Sequence, residues 1–188
     1  MKHQKKLLKI ILSGLFLAIA YVLPFLTGQI QEIGNMLCPM HLPIILCGFI
    51  CGWQYGAAVG FVAPLFRSLT LGMPIFFPGA VCMAFELAAY GCIAGLMYRM
   101  LPKKKIYIYI SLIISMIAGR AVWGLAMMTS LGLTGGKFTA AAFVAGAVTK
   151  AIPGIILQII LIPILVMVLD NPKTHGGIMI FEKIFIFL

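Results

Sequence analysis

Six apolar runs, set apart by short clusters of charge, glycine and proline, organise the chain: 7–26, 39–53, 56–71, 79–100, 106–129 and 140–169. A helix rises ~1.5 Å per residue, so crossing the hydrocarbon of a bilayer takes ~20 predominantly apolar residues. The first, fourth, fifth and sixth runs meet that length. The second and third are shorter and meet at the uncharged Trp53-Gln54-Tyr55 turn, a pattern expected of irregular or tilted segments shielded by their neighbours. The reading is an all-α integral membrane protein: a bundle of six transmembrane helices in one domain, residues 1–170, followed by a short cytoplasmic tail, 171–188. That tail ends in an apolar stretch too short to span, which suits the membrane surface.

Composition agrees with the pattern. Of 188 residues, 63% are apolar and 10% charged, and the mean hydropathy is +1.13, too apolar for a soluble core of this size. The net charge of +10 raises nucleic acid as a partner, but the lysines bunch at the ends of apolar runs and form no polar face. They read as topology signals, and no nucleic acid is expected. The basic head before the first run resembles a signal peptide, but the run is long and lacks a small-residue cleavage site, so it reads as a retained first span.

Nine basic residues then fall on one side: Lys2, Lys5, Lys6, Lys9, Arg99, Lys103, Lys104, Lys105 and Lys173, with Lys137 alone on the other. By the positive-inside rule both termini are cytoplasmic in a multi-pass protein of the cell membrane, and 27–38, 72–78 and 130–139 are outside loops. The first of these mixes Gln29, Gln31, Glu32 and Asn35 with two glycines, which suits either a lid over a pocket or a solvated connector. Gly48, Gly52, Gly56 and Gly60 recur every four residues, a spacing that lets membrane helices approach closely.

Four charges fall inside the spans: Arg67, Glu86, Arg120 and Lys150. Each costs about 2.5 to 3.5 kcal/mol at a helix centre facing lipid, so each should face protein or a watery cavity. Counting from the outer ends, Arg67 lies ~6 Å deep, Glu86 ~10 Å, Arg120 ~14 Å and Lys150 ~15 Å. Polar groups from four helices thus share a layer beneath the first loop, as an outward-facing pocket for a hydrophilic solute requires. Trp123, one turn from Arg120, is placed to cover the apolar part of a ligand. Three cations against one carboxylate favour an anionic nutrient. The structural alternative pairs Arg67 with Glu86 and lets Arg120 and Lys150 reach helix carbonyls.

Motifs that are missing narrow the function. Gly132 to Phe138 lacks the spacing and the hydroxyl residue of a Walker A loop, so ATP hydrolysis is not expected here. No paired carboxylates, zinc-binding helix or Ser/His set lies in the spans, so the chain does not read as an enzyme. The five cysteines sit in or beside apolar segments, and Cys47 and Cys51 with His41 beyond them make no complete ligand set, so neither metal nor cofactor is expected. His41 stands alone near the outer end of its span. Two rivals to a protein that captures a hydrophilic nutrient remain: a self-sufficient secondary carrier coupled through Glu86, and an intramembrane enzyme acting on a phosphorylated lipid.

The basic head, the small-residue first helix, the stretch Met40-His41-Leu42-Pro43 through Gly48, Gly52 and Gly56, and Pro64-Leu65-Phe66-Arg67-Ser68-Leu69 together resemble the substrate-binding S components of energy-coupling factor (ECF) transporters. The resemblance covers about residues 5 to 170. It implies a six-helix protein that binds a vitamin or related micronutrient from outside. It further implies reliance on a transmembrane coupling protein with two ATPases. The Ala-x-x-x-Ala type motif of the family's first helix, which faces the coupling protein, matches Gly14 and Ala18 here. The family's ligand region maps onto Asn35, Glu86, Arg120, Trp123 and Lys150, and less directly onto Arg67. Substrates differ across the family: pantothenate would suit a cationic pocket, riboflavin, a pyridoxine-like compound, a thiamine precursor, folate and queuosine precursors stay open, and Lys2 interrupts the amino-terminal Met-His of the metal-specific members.

Overall fold

A computed structural model describes residues 2–27, 38–102, 104–133, 139 and 151–169. Among them are six α-helices and no strand: α1 (Lys2–Val22), α2 (His41–Cys51), α3 (Trp53–Leu71), α4 (Val81–Met100), α5 (Lys105–Leu133) and α6 (Ile152–Leu169). Asn35, Lys137 and Lys150 lie outside the described residues, as do most of the first loop and the tail from 171 onward.

Helix ends fall where the backbone chemistry demands. A 3-10 turn, Leu23–Thr27, containing Pro24, ends α1. Between α2 and α3 stands a single residue, Gly52, at φ 107°, a conformation that a side chain would strain. Its N–H donates to Gly48 O at 3.1 Å and its carbonyl accepts from Gly56 N–H at 3.0 Å, so it serves both helices. Gly72, at φ 69°, closes α3 in the left-handed conformation, with its N–H on Ser68 O at 2.9 Å. The Ser68 hydroxyl then donates to Pro74 O at 2.6 Å and holds the connector to α4. The segment Phe76–Ala80, kinked at extended Phe77 (φ −122°, ψ 132°), leads into α4, which ends at extended Leu101 before Pro102.

Among the described residues, four segments are long and apolar enough to cross a membrane: Lys6–Phe25, Phe76–Met100, Lys105–Gly132 and Ile152–Leu169. The second and third runs do form separate helices. With 11 residues, α2 is too short for a full crossing, and all of it but Ile50 is buried. Being walled in by α1, α3, α4 and α6 removes its need to meet lipid. The helices on the outside show the reverse pattern, with Leu7, Leu15, Leu69, Ile117, Leu125 and Ile160 all more than half exposed, as lipid-facing surfaces should be.

The centre of the bundle is α4, packed against α2, α3 and α5. Glycines set that packing. A Cβ built on Gly56 would lie 2.7 Å from the Gly91 carbonyl oxygen, and one on Gly95 would lie 2.6 Å from Trp53 N. Gly48 and Gly60 likewise face the backbone of α4 at Gly91 and Leu87. Three of the four regularly spaced glycines therefore act as small contact residues. The fourth, Gly52, touches nothing across the interface and is required for its φ instead.

The two ends of the bundle differ. At one end Phe49 of α2 packs edge-on to Tyr98 of α4, centroids 5.1 Å apart, beside the Arg99, Lys104 and Lys105 stretch. At the other end, α2 and α4 begin, α1 and α3 finish, and the buried charges collect.

Candidate functional site

Three helices bring one polar side chain each to the second end of the bundle. His41 is the first residue of α2, Glu86 sits in the second turn of α4, and Arg120 lies near the middle of α5. Glu86 Oε1 accepts from Arg120 Nη1 at 2.9 Å and from His41 Nε2 at a longer 3.4 Å. The side chains of Glu86 and His41 are 3% exposed, that of Arg120 16%, so Arg120 is the part of the cluster that reaches the surroundings. An arginine is always charged, and its Nη1 lies at ion-pair distance from the Glu86 carboxyl.

Packing fixes this arrangement. Tyr90, one turn along α4 from Glu86, meets the His41 ring edge-on, centroids 5.0 Å apart and planes at 79°. The opposite helix leaves room for that ring only because residue 119 is glycine: a Cβ there would stand 2.6 Å from Tyr90 Cδ2 and Cε2. Arg120 also reaches Cys38 Sγ at 3.6 Å. Two buried nitrogens in the cluster, His41 Nδ1 and Arg120 Nε, have no hydrogen-bond partner among the described residues.

Of the residues expected to form a site, Glu86 and Arg120 are joined directly. Arg67 is not with them. Its Nη1 donates to the Tyr21 carbonyl at 2.8 Å, near the end of α1, and its guanidinium lies 5.2 Å from the centre of the Phe25 ring. The pairing of Arg67 with Glu86 is thus corrected: the partner of Glu86 is Arg120, and Arg67 fastens α3 to the last turn of α1. Trp123 is half-buried on α5, one turn beyond Arg120. Asn35 and Lys150 fall outside the described residues. On α1, Gly14 and Ala18 are exposed on a face shared with Ile11, Leu15 and Val22, and a Cβ on Gly14 would meet nothing within 4 Å.

Comparison with known proteins adds the decisive observation: the family model of the substrate-specific component of ECF transporters matches residues 8–166, which include every residue of the cluster. The chain belongs to that family. No curated protein and no solved structure gives a significant match. This S component is accordingly a membrane-embedded part of a transporter, and the cluster is its most polar buried feature among the described residues.

His41, Cys38 and Tyr90 were missed as site residues. The sequence left His41 alone because Glu86 is 45 positions away. Depth gave the usable signal: His41 opens α2 and Glu86 lies less than two turns into α4, so antiparallel α3 returns the chain to the same level.

Proposed function

We propose that this S component captures a small water-soluble vitamin or related micronutrient from outside the cell membrane, and that a separate ECF module drives its release inward. The observation that carries the reading is the buried Glu86, Arg120 and His41 cluster at the end of the bundle away from Arg99, Lys104 and Lys105. In a membrane protein such a group is costly and points to a polar solute. Arg120, the least buried member at 16% exposure, is the contact for a carboxylate or carbonyl of the ligand, and Glu86 positions it. Lys150 supplies the second cation and Trp123 covers the apolar part, while Asn35 closes the site from the first loop. An anionic compound such as pantothenate fits this set.

The module consists of a transmembrane coupling protein and two ATPases. The exposed Gly14 and Ala18 face gives the coupling protein a flat surface on which a helix can lie closely. Membrane lipid covers the remaining apolar perimeter. Six spans with both termini in the cytoplasm complete the reading.

Heat stabilisation of the purified protein by candidate vitamins, followed by calorimetry, tests capture. A charge-assisted hydrogen bond contributes about 1.5 to 3 kcal/mol, so Arg120→Ala and Lys150→Ala should weaken binding by roughly tenfold to a hundredfold. Arg67→Ala should change affinity far less. A neutral ligand bound equally well by all three variants would return the cluster to a structural role. Proton-driven uptake by the isolated protein in liposomes, with no ATPase co-purifying from native membranes, would replace the S-component mechanism by a secondary carrier.

A further inference from the structure

The hydrogen-bonding pattern around Glu86 assigns atoms that the capture reading leaves unused. A carboxylate held by an arginine only accepts, so the imidazole nitrogen facing it, His41 Nε2, carries the hydrogen. In the neutral ring this makes Nδ1 a bare acceptor. The Arg120 Nε always carries a hydrogen and is a donor. Both atoms are buried and unpartnered among the described residues, and both side chains are anchored to the same carboxylate oxygen. Tyr90 packs edge-on to the imidazole and restrains its rotation. Buried polar atoms without partners are uncommon because their desolvation is uncompensated, and here one acceptor and one donor are left over in the same cluster.

We infer that His41 is a ligand-contacting residue that selects a hydrogen-bond donor through Nδ1, and that Arg120 Nε takes an acceptor of the same ligand. The inference rests on the nutrient-capture reading and narrows its ligand: the bound compound presents both a donor and an acceptor, as a hydroxy acid or an amide does, and a bare carboxylate does not. His41 belongs to α2, so this contact extends the site beyond the helices that the charge pattern marked.

The test uses six probes: pantothenate, riboflavin, thiamine, pyridoxine, biotin and folate. The one that most stabilises the wild-type protein against heat is carried to calorimetry with His41→Asn and His41→Gln. Asn places an amide oxygen near the position of Nδ1, whereas Gln places an amide nitrogen near that of Nε2, toward Glu86. Loss of one buried hydrogen bond corresponds to roughly tenfold to a hundredfold in affinity, so His41→Gln should lose that much while His41→Asn stays within about threefold of wild type. The reverse order, or equal affinities, would overturn the inference and leave His41 as a support for Glu86. Nitrogen NMR of imidazole-labelled wild-type protein gives a readout that no variant's folding affects. The Nδ1 resonance of His41 should move on saturation with the same probe, and an unmoved resonance would sink the idea. Stabilisation by none of the six would instead overturn nutrient capture itself and take this inference with it.

Discussion

At the scale of single residues, the physical question is why Glu86 and Arg120 tolerate burial. Each alone would be prohibitive, and together they form a short ion pair whose carboxylate oxygen also receives His41. Breaking such a pair strands one charge, which typically costs about 3 to 5 kcal/mol, whereas replacing both members by apolar side chains of similar volume costs far less. Arg120→Ala should therefore destabilise the detergent-solubilised protein by that order, and the Glu86→Leu/Arg120→Met pair should recover most of the loss. Denaturant unfolding of both variants measures it; a double variant no more stable than the single one would mean that the pair does not set the fold's stability. The sequence placed Glu86 and Arg120 at compatible depths because depth follows from counting residues along a span. It did not say which cation meets the carboxylate. That depends on the rotation of each helix about its axis, and Arg67, at a similar depth on α3, turns toward Tyr21 and Phe25 instead.

At the scale of elements, glycine spacing was readable while the function of each glycine was not. The four-residue repeat announced close helix contact, and Gly48, Gly56 and Gly60 supply it against α4. What the repeat could not separate is a glycine needed for space from one needed for its backbone angle, because both look alike in a string of letters. Gly52 has open space around it and a φ of 107°. The partner on α4, Gly91, stood outside the repeat altogether, yet a Cβ there would press into the backbone of Gly56. Adding a methyl group where backbone already occupies the volume forces helices apart at about 1 to 3 kcal/mol, so Gly91→Ala should lower thermal stability by that amount. Gly14 has nothing within 4 Å. If the proposed coupling protein docks on this face, Gly14→Leu should leave stability and vitamin binding near wild type while stopping uptake by the assembled transporter, because bulk there would keep the partner helix at a distance. Equal loss of binding and uptake would assign that face to the fold.

At the scale of the whole molecule, the distribution of charge relative to the site connects fold to direction of transport. Chain direction puts the start of α1 at the end of the bundle opposite Arg67, since Arg67 reaches the last turn of α1. Lys6 and Lys9 therefore share an end with Arg99, Lys104 and Lys105, and the Glu86 cluster occupies the other end. The positive-inside rule favours lysine and arginine flanks in the cytoplasm, so the topology proposed above makes the end holding Glu86, His41 and Arg120 the external one. A capture protein must present its site to that side, so topology and function stand or fall together. Single cysteines substituted at Lys104 and Lys137 and treated in intact cells with a membrane-impermeant maleimide check this, since four of the five native cysteines are buried and the fifth is half-buried. Lys137→Cys should label from outside, and Lys104→Cys should label only after the membrane is opened. The inverse pattern would put the cluster on the cytoplasmic side, where a site for nutrient capture from outside has no use.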